Sequence, residues 1–476
     1  VTERYKSDES KVIDLKTNRE STEVREKLEN TEKGKRSRIT LALITVILLL
    51  TLCVISGSLV AFLRNLSILI VAFYCVYLAR HLSFAWAALA VRWRPSELVT
   101  DLPAKLPRVT ILVAAHNEDR VIERLVRALM NLNYPEDLRE VIVVDDASTD
   151  STPAILERLR KEHPSLRVIR RTEEERRKTP GKPAALNRGL LEATGEIVVV
   201  YDADHIPDRN AVMRLVMHFA DPKVGAVMGR CKIMNRDENI LTKLVYIDYL
   251  SGYLVNEYGR EAFYSLPAFG GSNCAIRRSI LETYGGFNER SVTEDTDITT
   301  RLILDGYRVV YDREALSIEE APNRLTRFIR QRYRWAFGHQ HVFYDYWLET
   351  LKSRHLRMVD KIELLLFLFL YHAPVVMFVG LILGFLWALG LFIPTSVPLA
   401  WLLWTLLFLG PFLEIGAGVI AEWREGEEPP NPGYLILFIP LFFISIFICT
   451  KAFIDGLVYP LIGRKYIWVK TPRREI

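Results

Sequence analysis

Glutamine is nearly absent: Gln331 and Gln340 are the only two in 476 residues, beside 62 Lys and Arg and 57 Asp and Glu. Few thermolabile amides among many charges suit a hot environment. Cysteine is scarce too. The five, at 53, 75, 231, 274 and 449, show no CxxC spacing, which argues against a disulfide framework or a zinc site. The net charge of +5 is small and dispersed, so nothing points to a nucleic-acid partner. Charge is missing altogether from residues 39–63 and 364–413, which a soluble core does not require. The first apolar run starts only at Ile39 and is too long for a secretory h-region, so no secretory signal is expected.

Residues 1–38 hold 11 basic and 9 acidic side chains and too little apolar surface for a core, the pattern of a mobile cytoplasmic arm or a solvated helix. Residues 39–63 and 66–91 are each long enough to cross a hydrocarbon layer of roughly 30 Å and predict a transmembrane hairpin. Its turn holds only Arg64, whereas Lys33, Lys35, Arg36 and Arg38 precede it and Arg92, Arg94, Lys105 and Arg108 follow. Both flanks are therefore expected in the cytoplasm. Arg80 and His81 interrupt the second span, by snorkelling, by contact with another helix, or for a functional reason.

Residues 92–321 have the texture of an α/β domain. Apolar runs at 108–114, 140–146, 166–170 and 196–204 alternate with helix-like stretches such as 120–131 and 152–160, predicting a mainly parallel sheet covered by helices. Ligands bind at the carboxyl ends of such strands. There stand His116-Asn117-Glu118, Asp145-Asp146 and Asp202/Asp204. Residues 322–363 are basic and aromatic, suited to interfacial helices. Apolar segments follow at about 364–391, 398–421 and 434–460, with Pro374, Pro394, Pro398 and Pro411 expected at bends or ends. Three crossings put the C-terminus outside, yet the tail carries Arg464, Lys465, Lys470, Arg473 and Arg474, a cytoplasmic signature. One segment is then re-entrant or flat, and the last, with Lys451 and Asp455, is the weakest span.

Two carboxylates at i and i+2 ending a strand, Asp202 and Asp204, suit a hard divalent cation on phosphate oxygens, although turn-capping aspartates look the same. Lys182 precedes a helix-like stretch, where a cation and a helix start favour a pyrophosphate. Glu294, Asp295 and Asp297 crowd three carboxylates into four residues, as a solvated helix start also would. Phe269-Gly270-Gly271-Ser272 permits close backbone approach to a ligand. Gln331, Arg334 and Trp335 offer a cation for a diphosphate and a ring for a sugar, on what is otherwise a surface helix.

In this order the motifs resemble the processive, membrane-integrated family 2 glycosyltransferases, the cellulose, chitin, hyaluronan and poly-N-acetylglucosamine synthases. The resemblance spans about residues 40–476. The stretch at 293–299, QRYRW and the WVKTPR tail look most like the poly-N-acetylglucosamine enzymes. It implies a GT-A nucleotide-sugar domain inserted between membrane helices of the plasma membrane, and a UDP-sugar donor. It also implies Mg²⁺ or Mn²⁺ on Asp204 with Asp202 nearby. Ala115, Glu118 and Asp146 would meet the nucleotide, Lys182 and Arg334 the diphosphate. Asp295, beside Glu294, would be the general base. Phe269, Gly270, Gly271, Ser272, Gln331 and Trp335 would border the growing polysaccharide. Trp468, Lys470, Thr471 and Arg473 would form a gating signature. An α-linked UDP-sugar, UDP-N-acetylglucosamine by the likeness, would be polymerised with inversion and the chain extruded, past aromatic side chains such as Trp86, Trp387, Trp401 and Trp404 unless these anchor the helices in lipid. Two other readings remain open: transfer to a lipid phosphate, and a non-enzymatic membrane scaffold.

Overall fold

The structure is a computed structural model that describes residues 37–90, 106–392, 397–431 and 433–461. Of the arm expected at 1–38, residues 1–36 lie outside the described residues and Ser37 and Arg38 begin a helix; the gating residues Trp468, Lys470, Thr471 and Arg473 also lie outside them.

Valine and isoleucine runs build the sheet where expected. β1 (Val109–Ala115), β2 (Arg139–Asp146), β3 (Leu166–Arg171) and β4 (Ile197–Asp202) pair in parallel, with β1 between β2 and β4. Side chains of β1, β2 and β4 are almost wholly buried on both faces, as parallel strands between helices require. Two apolar clusters result, one around Ile111, Val143 and Val199 and one around Leu112, Val144 and Val200. Truncating one such leucine, Leu112→Ala, would cost about 2–5 kcal/mol. The other half of the sheet is mixed. β7 (Cys274–Arg277) runs antiparallel between β4 and β6 (Val224–Ile233), which pairs in parallel with β8 (Arg308–Glu319), and β5 (Ile206–Pro207) closes the edge antiparallel. With four residues in β7 and two in β5, neither has enough alternation to announce itself.

The helices used below are α1 (Ser37–Ser56), α2 (Leu59–Ala90), α3 (Ile122–Met130), α4 (Thr152–Glu162), α5 (Glu173–Lys178), α6 (Lys182–Leu190), α7 (Ala211–Met217), α8 (Ile240–Leu250), α9 (Tyr258–Tyr264), α10 (Arg278–Thr283), α11 (Glu294–Leu304), α12 (Leu325–Lys352), α13 (Met358–Leu368), α14 (Ala373–Ala388), α15 (Val397–Arg424) and α16 (Tyr434–Leu461). A π-helical segment, Ser251–Glu257, joins α8 to α9.

Among the described residues, α1, α2 and α16 are long and apolar enough to cross a membrane, and α13 with α14 would make a fourth span. That pair is bent by 69°, so the single segment expected at 364–391 is broken. Pro374 in the first turn of α14 lacks an N–H and restricts the residue before it, which stops a continuous helix there. Pro411 lies inside α15 rather than at an end.

Arg80 and His81 meet other helices. The Arg80 guanidinium forks onto Glu363 of α13 with two bonds of 2.9 Å and donates to Asn256 at 3.0 Å. His81 lies 2.6 Å from Glu414 of α15, which also accepts from Asn256 at 2.7 Å. Breaking one buried partner leaves a charge stranded, so this cluster fixes α2 against α13, α15 and the π segment. α15 is joined to the sheet as well: Arg230 of β6 reaches Glu422 and, at 2.8 Å, Glu425. Both ends of α16 touch other helices, Tyr434 with Lys243 of α8 at 3.4 Å and Asp455 with Tyr333 of α12 at 2.5 Å. Trp86 and Trp401 are 59% and 68% exposed, and Trp387 packs partly buried beside α2.

Candidate active site

Register sets the strand ends side by side, Ala115 opposite Asp145 and Ala114 opposite Asp202. The loops that follow β1 and β2 are bolted together. Asn117 donates its backbone N–H to Ser148 Oγ at 2.9 Å, Thr149 returns one to Asn117 Oδ1 at 2.8 Å, and Glu118 donates to Thr152 Oγ1 at 2.8 Å. Glu118 is thereby buried at the crevice. Asp146 is also buried, and its two oxygens face Arg171 at 2.6 Å and Arg176 at 3.4 Å. Burial pushes its carboxyl above the usual range against the pull of both arginines. A nucleotide would therefore meet Asp146 as part of an arginine-held unit. Neither arginine was anticipated, because a pair from β3 and α5 has no local spacing.

Lys182, at the start of α6, draws three motifs to one point. Its Nζ lies 2.7 Å from Asp202 Oδ1 and 3.3 Å from Glu294 Oε1, and donates to Gly271 O at 2.7 Å. Despite burial, these neighbours hold its ammonium above the ordinary lysine range. Ser272 Oγ accepts the backbone N–H of Asp202 at 2.9 Å, and Gly270 donates its own to Cys274 Sγ. Asn273 anchors the loop beneath, accepting from Tyr201 at 3.0 Å and donating to Ala315 O at 2.7 Å. Phe269 departs from its expected place at the acceptor: its ring is buried in the core, and its N–H donates to Thr299 of α11 at 2.8 Å.

Glu294 and Asp295 open α11, and Thr293, Glu294 and Asp297 are buried, which excludes a solvated helix start. Asp297 is structural, held by Arg301 at 2.6 Å, Asn288 at 2.9 Å and Tyr346 at 3.0 Å. Asp295 faces the site. Burial first, then the Glu294 charge, raise its carboxyl to about 7, against Lys182 and the Thr296 hydrogen bonds. Thr296 donates N–H to Asp295 Oδ1 at 2.7 Å, and its hydroxyl lies 3.3 Å from that oxygen and 3.1 Å from His339 Nε2. Burial and the Arg260 charge hold His339 down at about 3, so it is neutral. With Nε2 protonated it donates to Thr296 Oγ1 and leaves the threonine proton for Asp295. His339 was not anticipated, since only the fold brings α12 to α11.

α12 comes that close because Gly338 has no side chain; a Cβ there would stand 2.4 Å from Thr293 Cγ2. Gln331, Arg334 and Trp335 are half-buried on the same helix. Arg332, between them, pairs with Asp248 at 2.5 Å and lies 4.6 Å from the Trp335 ring centroid. One ring face is thus covered by a cation.

Asp202, Asp204 and His205 bring ligand atoms within 4.8 Å of one another. Two carboxylates and an imidazole suit Mn²⁺ or a similar ion. His205, adjacent to the DxD, is a member of this group that the motif alone did not disclose.

Residues 107–338 match the family described as "Glycosyltransferase like family 2". The chain is 31% identical over 375 residues to a probable glycosyltransferase, YdaM, of Bacillus subtilis, covering 78% of this chain and 87% of the relative. It is 38% identical over 261 residues to a β-monoglucosyldiacylglycerol synthase of Nostoc, 55% of each chain. With a poly-β-1,6-N-acetyl-D-glucosamine synthase of Staphylococcus epidermidis it shares 29% identity over 267 residues, 55% of this chain and 61% of that one. A mannosyltransferase of Pyrobaculum calidifontis, solved with GDP-mannose and Mn²⁺, superposes with a TM-score of 0.57 at 26% identity, over 83% of this chain and 99% of that one.

Proposed function

Since the chain belongs to glycosyltransferase family 2 and is a hexosyltransferase, we propose that it transfers a hexose from a UDP-sugar, with inversion, to an acceptor hydroxyl presented at a membrane face. Asp295 carries this reading: a carboxyl raised to about 7, fixed by Thr296 beside the Lys182–Asp202 pair. A base poised near neutral pH takes a hydroxyl proton effectively. Lys182 turns its charge to the diphosphate. As Asp295 accepts the proton, the acceptor oxygen bonds to the anomeric carbon and the bond to UDP breaks from the opposite face. A divalent ion on Asp202, Asp204 and His205, Mg²⁺ or Mn²⁺, neutralises charge on the departing diphosphate when bound.

The acceptor is read as a growing β-linked polysaccharide and the donor as UDP-N-acetylglucosamine. This is supported by Trp335, half-buried on α12 with Arg332 over its ring, by the motif likeness and by the staphylococcal relative. The catalytic domain is read as cytoplasmic in a multi-pass plasma-membrane protein. In that frame α16, tied at both ends to α8 and α12, is the segment that lies along the interface. A second reading, a glycolipid acceptor, is favoured by the 38% identity to the β-monoglucosyldiacylglycerol synthase. It also suits the apolar packing of Ile70, Val71, Met377 and Ile446 where α2 meets α14 and α16.

The test is purified full-length protein in liposomes, with and without diacylglycerol, given labelled UDP-N-acetylglucosamine, UDP-glucose or GDP-mannose. Polymer elongation puts label in a water-soluble product cleaved by β-hexosaminidase. A glycolipid acceptor puts it in the organic phase only when diacylglycerol is present. Nucleoside diphosphate release from none of the donors would overturn the assignment.

A further inference from the structure

Past Asp204 the chain enters a second group of metal-ligating side chains, which shares only His205 with the transfer described above. His205 from the loop after β4, Cys231 from β6 and Glu319 from β8 each bring a ligand atom, all within 4.8 Å of one another. Register explains the meeting. Cys231 stands opposite Ser317 and Ile233 opposite Glu319, so by the two-residue alternation Cys231, Ser317 and Glu319 share one face of the β6–β8 pair. His205 reaches that face with Nδ1 3.0 Å from Ser317 Oγ and Nε2 3.7 Å from Glu319 Oε2. His205 and Cys231 are buried and Glu319 half-buried. Imidazole, thiol and carboxylate together suit Zn²⁺ rather than hard Mg²⁺.

We propose that His205, Cys231 and Glu319 form a site for a thiophilic divalent cation, Zn²⁺ by its chemistry, with water completing the shell. On binding, the Cys231 thiol proton passes to solvent as the sulfur–metal bond forms. His205 belongs both to this group and to the Asp202/Asp204 group. One imidazole serves one ion at a time, so Zn²⁺ held here withdraws His205 from the donor-site metal and slows transfer. The three ligands come from separate elements, and no cysteine spacing announces them.

The test uses the full chain with Cys53 and Cys75, the exposed thiols, changed to alanine and with Mg²⁺ in excess. Titration with Co²⁺ is expected to produce a thiolate-to-cobalt charge-transfer absorption that Zn²⁺ then abolishes by displacement. Cys231→Ser should lose the absorption, keep Mg²⁺-supported transfer, and need at least about tenfold more Zn²⁺ for half-inhibition. Should that variant not fold, Glu319→Gln decides instead, keeping the absorption but binding Co²⁺ at least about tenfold more weakly. No absorption at saturating Co²⁺, or an absorption that survives Cys231→Ser, overturns the site. The spectrum is read without donor sugar, so its failure leaves the proposed transfer reaction standing.

Discussion

The α-carbon of Gly271 faces the Asp295 carboxylate so closely that a methyl group on it would stand 2.9 Å from Oδ2. Gly271 also holds φ +76°, a region that side chains rarely adopt. Gly271→Ala should therefore displace the base. A misplacement of this kind costs about 10²-fold in turnover, with UDP affinity by calorimetry near the parent's.

Asp295 works only when deprotonated, and its carboxyl sits at about 7. The active fraction consequently grows as pH rises through about 7, and kcat/KM should climb along an acid limb there before reaching a plateau. Asp295→Asn should lower turnover by about 10²–10⁴-fold and remove that limb. A pH–rate profile of both proteins checks it.

Thr296 lowers the Asp295 carboxyl by hydrogen bonding. Thr296→Val keeps the backbone N–H but removes the hydroxyl, so the acid limb should move to higher pH. Thr296→Ser should restore it. A limb unmoved by valine would make the contact with His339 a matter of packing alone.

Metal dependence follows from the Asp202, Asp204 and His205 group. Excess chelator should abolish transfer, Mn²⁺ should restore it, and Asp204→Asn should be insensitive to added Mn²⁺. Full activity of the parent in chelator would remove the ion from the reaction.

Trp335 and Asp295 should fail differently. Trp335→Ala loosens the acceptor, so product should fall much more than slow hydrolysis of the donor by water, which needs the base but no acceptor. Assaying UDP release against glycosylated product separates the two; parallel loss of both would assign Trp335 to the helix and not to a sugar.

The sites at the ends of β1, β2 and β4 were legible because long valine and isoleucine runs stop abruptly at Ala115, Asp146 and Asp202, and a strand end is where such a sheet binds ligands. Lys182 was legible as a helix start, though its grip on Gly271 and Glu294 was not. The rest depends on contacts between distant segments. Arg171 and Arg176 on Asp146, His339 behind Thr296, and Arg80 with Glu363 leave no periodic trace along the chain. Phe269 was expected at the acceptor from the family resemblance alone; its apolar ring lies in the core. The break at Pro374 was marked by the proline itself, whereas Pro411 was accommodated within α15.

The most direct test of inverting transfer at Asp295 is the anomeric configuration of the first product, read by proton NMR after a single turnover of an α-linked UDP-hexose. One displacement assisted by one base gives a β-linked product. An α-linked product would contradict the account, because retention requires a second displacement that a lone base at Asp295 does not provide.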